Sequence, residues 1–473
     1  MKRNLLVGNG INIQFGGPAY SSEFILKRIK YNCRLGKYDS LFGGQITGKE
    51  LESIFNGLVS IANGLIDNQY GDLTEDLDTI EAIEDFKKRY TQRVSLPHEI
   101  MLEDWLLLVR VFFLINNDMM QANKSVVQGF EQLLLDSIYN DGKLQGLHQN
   151  MNKDVKRFFN GYDKVFTLNY DNNIESLTHK EVYHLHGDFS VLENSENTET
   201  VLGYLRGSEG KTVWQPEMKH CYCNALLNYS GRLKYKTAVA NHDAILDSEH
   251  YVERYNSDSS FRQAVLMDKS LGAKMIRTKI EHPELKMATE YYFYEFESIE
   301  GQLEIIGLSP NNDAHIFDAI LNNTNITKVI FYYFGEKERT FIEEHYPRVL
   351  FECHSVQDLW RSLNSERKVY SCNYSIPNSG RQIIDALNVL SDDEISFEKI
   401  KDQINKIPHF EMIRLCKAVK EELQRRNQNN SSLSRIEFEQ EQAAICHIAL
   451  QEGILPSVLY LVCVMNFNKL EDK

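Results

Sequence analysis

This 473-residue chain has little of what would tie it to a membrane, an oxidising compartment or a nucleic acid. No apolar run approaches the 18 or more residues of a membrane span. The best candidates, WLLLVRVFFLI (105–115) and VLYLVCVM (458–465), are too short, and the first carries Arg110. Only Leu5, Leu6 and Val7 separate the basic start from Gly8, which is too little for a secretory signal. The eight cysteines are scattered and make no disulfide framework, so a cytoplasmic home is expected. A net charge of −15 argues against a general nucleic-acid-binding surface. Neither a membrane nor direct nucleic acid binding is therefore expected.

What is present reads as an ordinary globular chain, 42% hydrophobic and 25% charged, long enough for two or three domains. NLLVGNGIN (4–12) is an apolar strand entering a Gly-Asn-Gly turn. PAYSSEFILKRIK then predicts a helix with Ser21 or Ser22 as its N-cap. From about 50 to 160 the spacing is helical, as in ELESIFNGLVSIANGLI. KVFTLNYD (164–171) and VYHLHGD predict two further strands. The region 190–300 is irregular, with a polar piece at 193–200 and an aromatic run, EYYFYEF (290–296), that reads as a strand. QLEIIGLS, AHIFDAILN, KVIFYYFG, EKERTFIEEHY, RVLFECH and SVQDLWRSLN then alternate strand and helix. That rhythm predicts an α/β, Rossmann-like parallel sheet with helices on both faces. Beyond 366 the pattern is mainly helical, broken by NQNNSS (427–432). The expected domains are 1–365 and a C-terminal helical domain, 366–473.

Four polar segments stand where strands end: GNGIN (8–12), TLNYD (167–171), HLHGD (184–188) and GLSPNND (307–313). In an open α/β sheet, ligands bind at the carboxyl ends of the strands, so the four could converge. Glycines between a strand and a helix allow close approach to phosphate. The dehydrogenase pattern G-x-G-x-x-G fails at Ile13, and no G-x-x-x-x-G-K-[ST] loop exists, so hydride transfer and ATP hydrolysis are disfavoured. His184 and His186 would share a face if Val182–His186 were a strand. As metal ligands they lack companions: Val191 stands where a cupin-like site needs Glu, and Cys221 and Cys223 have no matching second pair. No metal is expected.

TLNYD followed by HLHG, with GNG at the start and a G-x-S plus an acidic residue near the end of the sheet, resembles the sirtuin-like NAD-binding family. The likeness is to its divergent bacterial anti-phage branch, which includes AbiH-type abortive-infection proteins, the Thoeris NADase and the sirtuin-like partner of HerA ATPases. The resemblance implies that Asn169 and His186 flank the nicotinamide ribose as the catalytic pair. It implies that Asp171 orients ribose hydroxyls and that Gly8, Asn9 and Gly10 lie against the pyrophosphate, with Asn12 near the nicotinamide end. Gly307 and Ser309 would contact phosphate or the adenosine ribose, and Asp313 a ribose hydroxyl. His184 would be supporting structure.

The implied activity is NAD glycohydrolysis, with NAD+ as substrate and abortive infection as the setting. Deacylating sirtuins carry a zinc ribbon of two Cys-x-x-Cys pairs, which this chain lacks, so a protein deacylase is the weaker reading. A non-catalytic NAD or ADP-ribose sensor would need no base such as His186. The resemblance also implies a homo-oligomer and a HerA-type ATPase partner.

Overall fold

The computed structural model describes residues 2–470 except 72, 117–122, 190–199, 202–203, 206–215, 228–229, 377–387, 389–394 and 429–436. Its centre is a six-stranded, wholly parallel sheet. The strands are β1 (Arg3–Val7), β2 (Lys164–Thr167), β3 (Tyr183–His184), β4 (Gly301–Ile306), β5 (Ile326–Tyr333) and β6 (Phe351–Ser355). Their order, β3-β2-β1-β4-β5-β6, is that of a doubly wound, Rossmann-like sheet. A separate two-stranded hairpin pairs Thr200–Val201 with Tyr204–Leu205.

Alternation along β1 explains why the sheet is covered on both faces. Leu6 joins Phe166, Leu185, Leu303, Ile305 and Phe331 in one core, whereas Leu5 and Val7 join Val165, Ile306, Val356 and Trp360 in another. Each such side chain is worth about 1.5–3 kcal/mol when fully buried, so the register of β1 is strongly specified.

The helices that matter below are α1 (Gly10–Gly16), α2 (Ser22–Arg34), α3 (Gly48–Ile66), α4 (Leu77–Arg89), α5 (Leu102–Ile115), α6 (Asn123–Tyr139), α7 (Lys153–Asn160), α8 (Asn173–Thr178), α9 (Arg232–Ser257), α10 (Ser259–Met267), α11 (Leu271–Glu281), α12 (Phe293–Glu297) and α13 (Ala314–Asn322). Helices α3 to α7 fill the stretch expected to be helical. The aromatic run at 290–296 is not a strand. Tyr292 takes a left-handed conformation, and α12 then buries Phe293 and Phe296 one turn apart. The polar stretch 193–199 lies outside the described residues, as does most of the 427–432 break.

The chain divides into two units, Met1–Phe15 with Tyr38–Glu366, and Gly16–Lys37 with Arg367–Lys473. The segment 16–37, expected within the first domain, thus belongs to the second. The reason lies in α2. It is capped by Ser21, whose hydroxyl accepts from the Phe24 amide, and it buries Phe24 and Tyr31 among C-terminal helical residues. Arg28, also buried, donates to the carbonyls of Ala19 and Leu450. No single helix among the described residues is long and apolar enough to cross a membrane. The bent pair Gln442–Glu452 and Pro456–Asn466 (114°) carries much of the second unit's core.

Candidate functional site

The strand order reverses between β1 and β4, and here two loops meet closely. The Gly8 amide donates to the Ile306 carbonyl (2.9 Å) and the Gly10 amide to the Gly307 carbonyl (3.0 Å). A Cβ on Gly8 would lie 2.6 Å from the Gly307 oxygen, and one on Gly10 2.5 Å from the Gly307 Cα. Gly307 itself has a φ of 73°. These glycines therefore serve first to let two backbones touch. The amides of Gly8 and Gly10 are spent on that lock. Asn9 is exposed at its tip.

At the end of β2, Asn169 and Asp171 turn inward. The Asn169 amide donates to the Thr167 hydroxyl (3.0 Å), and its side chain donates to the Gly8 carbonyl (3.2 Å), tying the β2 loop to the glycine turn. Asp171 is buried and accepts from the Asn12 side chain (2.7 Å) and from the amide (3.1 Å) and side chain (2.6 Å) of Asn173. Burial raises its carboxyl above the usual range, against the pull of those donors. Asn12 keeps one orphan, its Oδ1, buried with no partner. Asn173 also fixes the preceding loop, donating to the Leu144 carbonyl and accepting from the His148 amide.

The two histidines part company because β3 ends at His184. His184 Nδ1 meets the Asn169 carbonyl (3.0 Å) and Nε2 meets Glu175 of α8 (2.5 Å). Gly187, at φ 79°, then turns the chain so tightly that a Cβ would strike the Asn224 carbonyl at 2.3 Å. Segment 224–226 seals that turn: the Leu226 amide donates to the His186 carbonyl, and the Asn224 side chain accepts from the Asp188 amide. His186, 3% exposed, faces a different company. Its Nε2 lies 3.1 Å from His315 Nε2, with the rings 23° from parallel, and its Nδ1 lies 3.4 Å from Lys234 Nζ. Burial pushes His186 well below the ordinary imidazole value, and Lys234 and His315 push it further.

Lys234, His315 and Glu103 escaped the sequence reading. Lys234 sits in the first turn of α9 and pairs with Glu103 at the start of α5 (2.8 Å). Burial alone would raise the Glu103 carboxyl, but the Lys234 ammonium outweighs it and holds it low. The next residue, Asp104, receives two hydrogen bonds from Arg89 (2.8 and 2.9 Å) and one from Tyr90 (2.9 Å). His315 lies in the first turn of α13, buried, and is pushed down to about 3 by burial and by the Lys234 charge. A histidine on the apolar side of AHIFDAIL, whose only other polar residue is the exposed Asp318, is the one available signal.

Asp313 immediately precedes α13 and bonds no amide of that helix with its side chain. Burial raises its carboxyl to about 7, with Lys234 opposing and Glu103 adding. Ser309 is half-buried, and its carbonyl accepts from the Asn312 amide. The loops after β1, β2, β3 and β4 thus all carry site residues at one end of the sheet, where a ligand of a doubly wound fold binds. No three His, Cys, Asp or Glu side chains among the described residues stand close enough to hold a metal ion. Comparison of the chain with protein-family models, curated proteins and solved structures finds no match.

Proposed function

We propose that the chain is an NAD glycohydrolase, cleaving NAD+ to nicotinamide and ADP-ribose and thereby depleting NAD in bacterial anti-phage defence. One observation supports this reading: Asn169 and Asp171 after β2 and His186 after β3 are all buried at the carboxyl ends of neighbouring strands, and the Asn169 side chain reaches Gly8 at the strand-order reversal. Cleaving the nicotinamide–ribose bond builds oxocarbenium-like charge on the sugar. A neutral imidazole can take a proton from the attacking water. His186 is held neutral by its surroundings across the physiological range. Asn169 would position ribose or water by hydrogen bonding, and Asp171 would accept from ribose hydroxyls.

A sensor reading has an observation of its own. Both ring nitrogens of His186 are engaged by protein groups, so the described state offers no free base. A homo-oligomer and a HerA-type ATPase partner belong to the proposal through the resemblance alone. NAD consumption with chromatographic separation of products, for the full chain and His186→Ala, with and without a HerA-type ATPase, tests both readings. Nicotinamide and ADP-ribose released by the parent and lost in the variant are expected. Bound but intact NAD under every condition would replace the enzyme with the sensor.

A further inference from the structure

Two buried groups outside the resemblance, Lys234 and His315, bond the His186 ring, and those hydrogen bonds fix where its proton sits. An ammonium only donates, so Lys234 facing Nδ1 requires a bare nitrogen there. The ring is neutral, so its single proton is on Nε2, and that N–H donates to His315 Nε2. His315 must then carry its own proton on Nδ1, which is buried with no partner. The opposite arrangement would aim an N–H of His186 at the Lys234 ammonium.

We propose that Lys234 and His315 are positioning residues that lock His186 as its Nε2–H tautomer, leaving Nδ1 as the nitrogen that takes the proton once an anionic ligand draws Lys234 away. The contact that must give is the longer one, 3.4 Å to His186, while the 2.8 Å pair with Glu103 persists. Naming the proton donor rests on the NAD-cleavage reading. A water O–H proton passes to Nδ1, the oxygen's electron pair bonds to the anomeric carbon, and the C–N pair leaves with neutral nicotinamide. Lys234 stays an ammonium beside Nδ1 even when paired with Glu103, so an imidazolium at His186 calls for a ligand whose own negative charge draws Lys234 off. The substrate class is thus a phosphate-bearing nucleoside rather than a neutral one. The charged groups that act on Lys234, His315 or their neighbour Asp313 are Glu103 of α5 and Arg89 of α4, and Asp188 follows His186 on its own loop.

The test observes histidine ring nitrogens by NMR in the full chain, with His186→Asn identifying the His186 signals. In the parent, His186 is expected to show a bare Nδ1 and to titrate well below an ordinary imidazole. Lys234→Met combined with Glu103→Gln, which leaves no buried carboxylate unpaired, should raise its midpoint by about one unit or more. His315→Phe, which leaves Lys234 against Nδ1, should keep the tautomer preference, whereas the double variant should lose it. Adding ADP-ribose should raise the His186 midpoint, whereas nicotinamide riboside, lacking phosphate, should not. A parent His186 protonated on Nδ1, an unmoved midpoint in the double variant, or equal responses to the two ligands would overturn the proposal. None of these readouts needs turnover, so a chain that never cleaves NAD would fail the functional reading and leave this one standing.

Discussion

His184 and His186 are two residues apart, both buried, and electrostatically opposite. Burial penalises the charged form of each. Around His184 the Glu175 carboxylate and the Asn169 carbonyl outweigh that penalty and raise its pKa. Around His186 the nearest groups are an ammonium and a second imidazole, which add to the penalty. The difference teaches that sequence proximity says little about charge state: Glu175 comes from the adjacent α8, whereas Lys234 and His315 arrive from 48 and 129 residues away. His184 is suited to hold the β2 loop, His186 to exchange a proton.

Removing His186 should break the contrast most severely. His186→Ala is expected to lower NAD turnover by about 10²–10⁴, or roughly 3–5 kcal/mol of barrier. Steady-state rates settle it, with thermal unfolding checking that the variant still folds; near-parental turnover would end the assignment.

The next effect is on acid stability. His186 and His315 have folded pKa values below the unfolded value of about 6.5, so their contribution is present above that pH and lost as pH falls below it. For His315 the loss runs from about 6.5 down to about 3. Each group can take away up to about 1.4 kcal/mol per pH unit in that window. Urea unfolding of the parent and of His315→Asn between pH 7 and 5 should show the shallower slope in the variant. Parallel slopes would mean that His315 titrates normally.

His184 should act with the opposite sign. Its raised pKa contributes stability that is complete below about 6.5 and disappears as pH climbs through the folded value. Glu175→Gln is expected to cost about 1–2 kcal/mol at pH 6 and less at pH 9, the charge-assisted bond being partly solvent-screened. An equal cost at both pH values would show that His184 is uncharged. The smallest effect serves as the reference: Lys328→Ala, which breaks an exposed pair with Glu352, should change stability by less than about 0.5 kcal/mol at any of these pH values.

Much of the scaffold was legible because it is local. The β4–α13–β5 run, the Ser21 cap and the convergence of four strand ends follow from periodicity, turn chemistry and a general rule of parallel sheets. EYYFYEF misled because aromatic residues favour strands on average, while the burial of Phe293 and Phe296 on one helical face decides the matter here. Segment 16–37 misled because a helix following β1 is expected to cover its own sheet, whereas the apolar face of α2 fits another core. Lys234 and Glu103 had no chance of being read. A lysine and a glutamate in helical first turns look like solvated ends until the fold buries them together. The glycines of GNG suggest phosphate by their pattern, but their geometry serves first the packing of backbone against Gly307.

That last contact carries a consequence for how the molecule is born. The partner of the Gly8–Gly10 turn lies about 300 positions downstream, and β1 pairs on one side with a strand that emerges equally late. At ordinary ribosomal speeds of about 5–20 residues per second, some 15–60 s separate the first strand from the fourth. A nascent chain therefore holds Asn169 and His186 well before His315 and the Gly307 loop exist. The residues of the candidate site come together only when synthesis has passed α13.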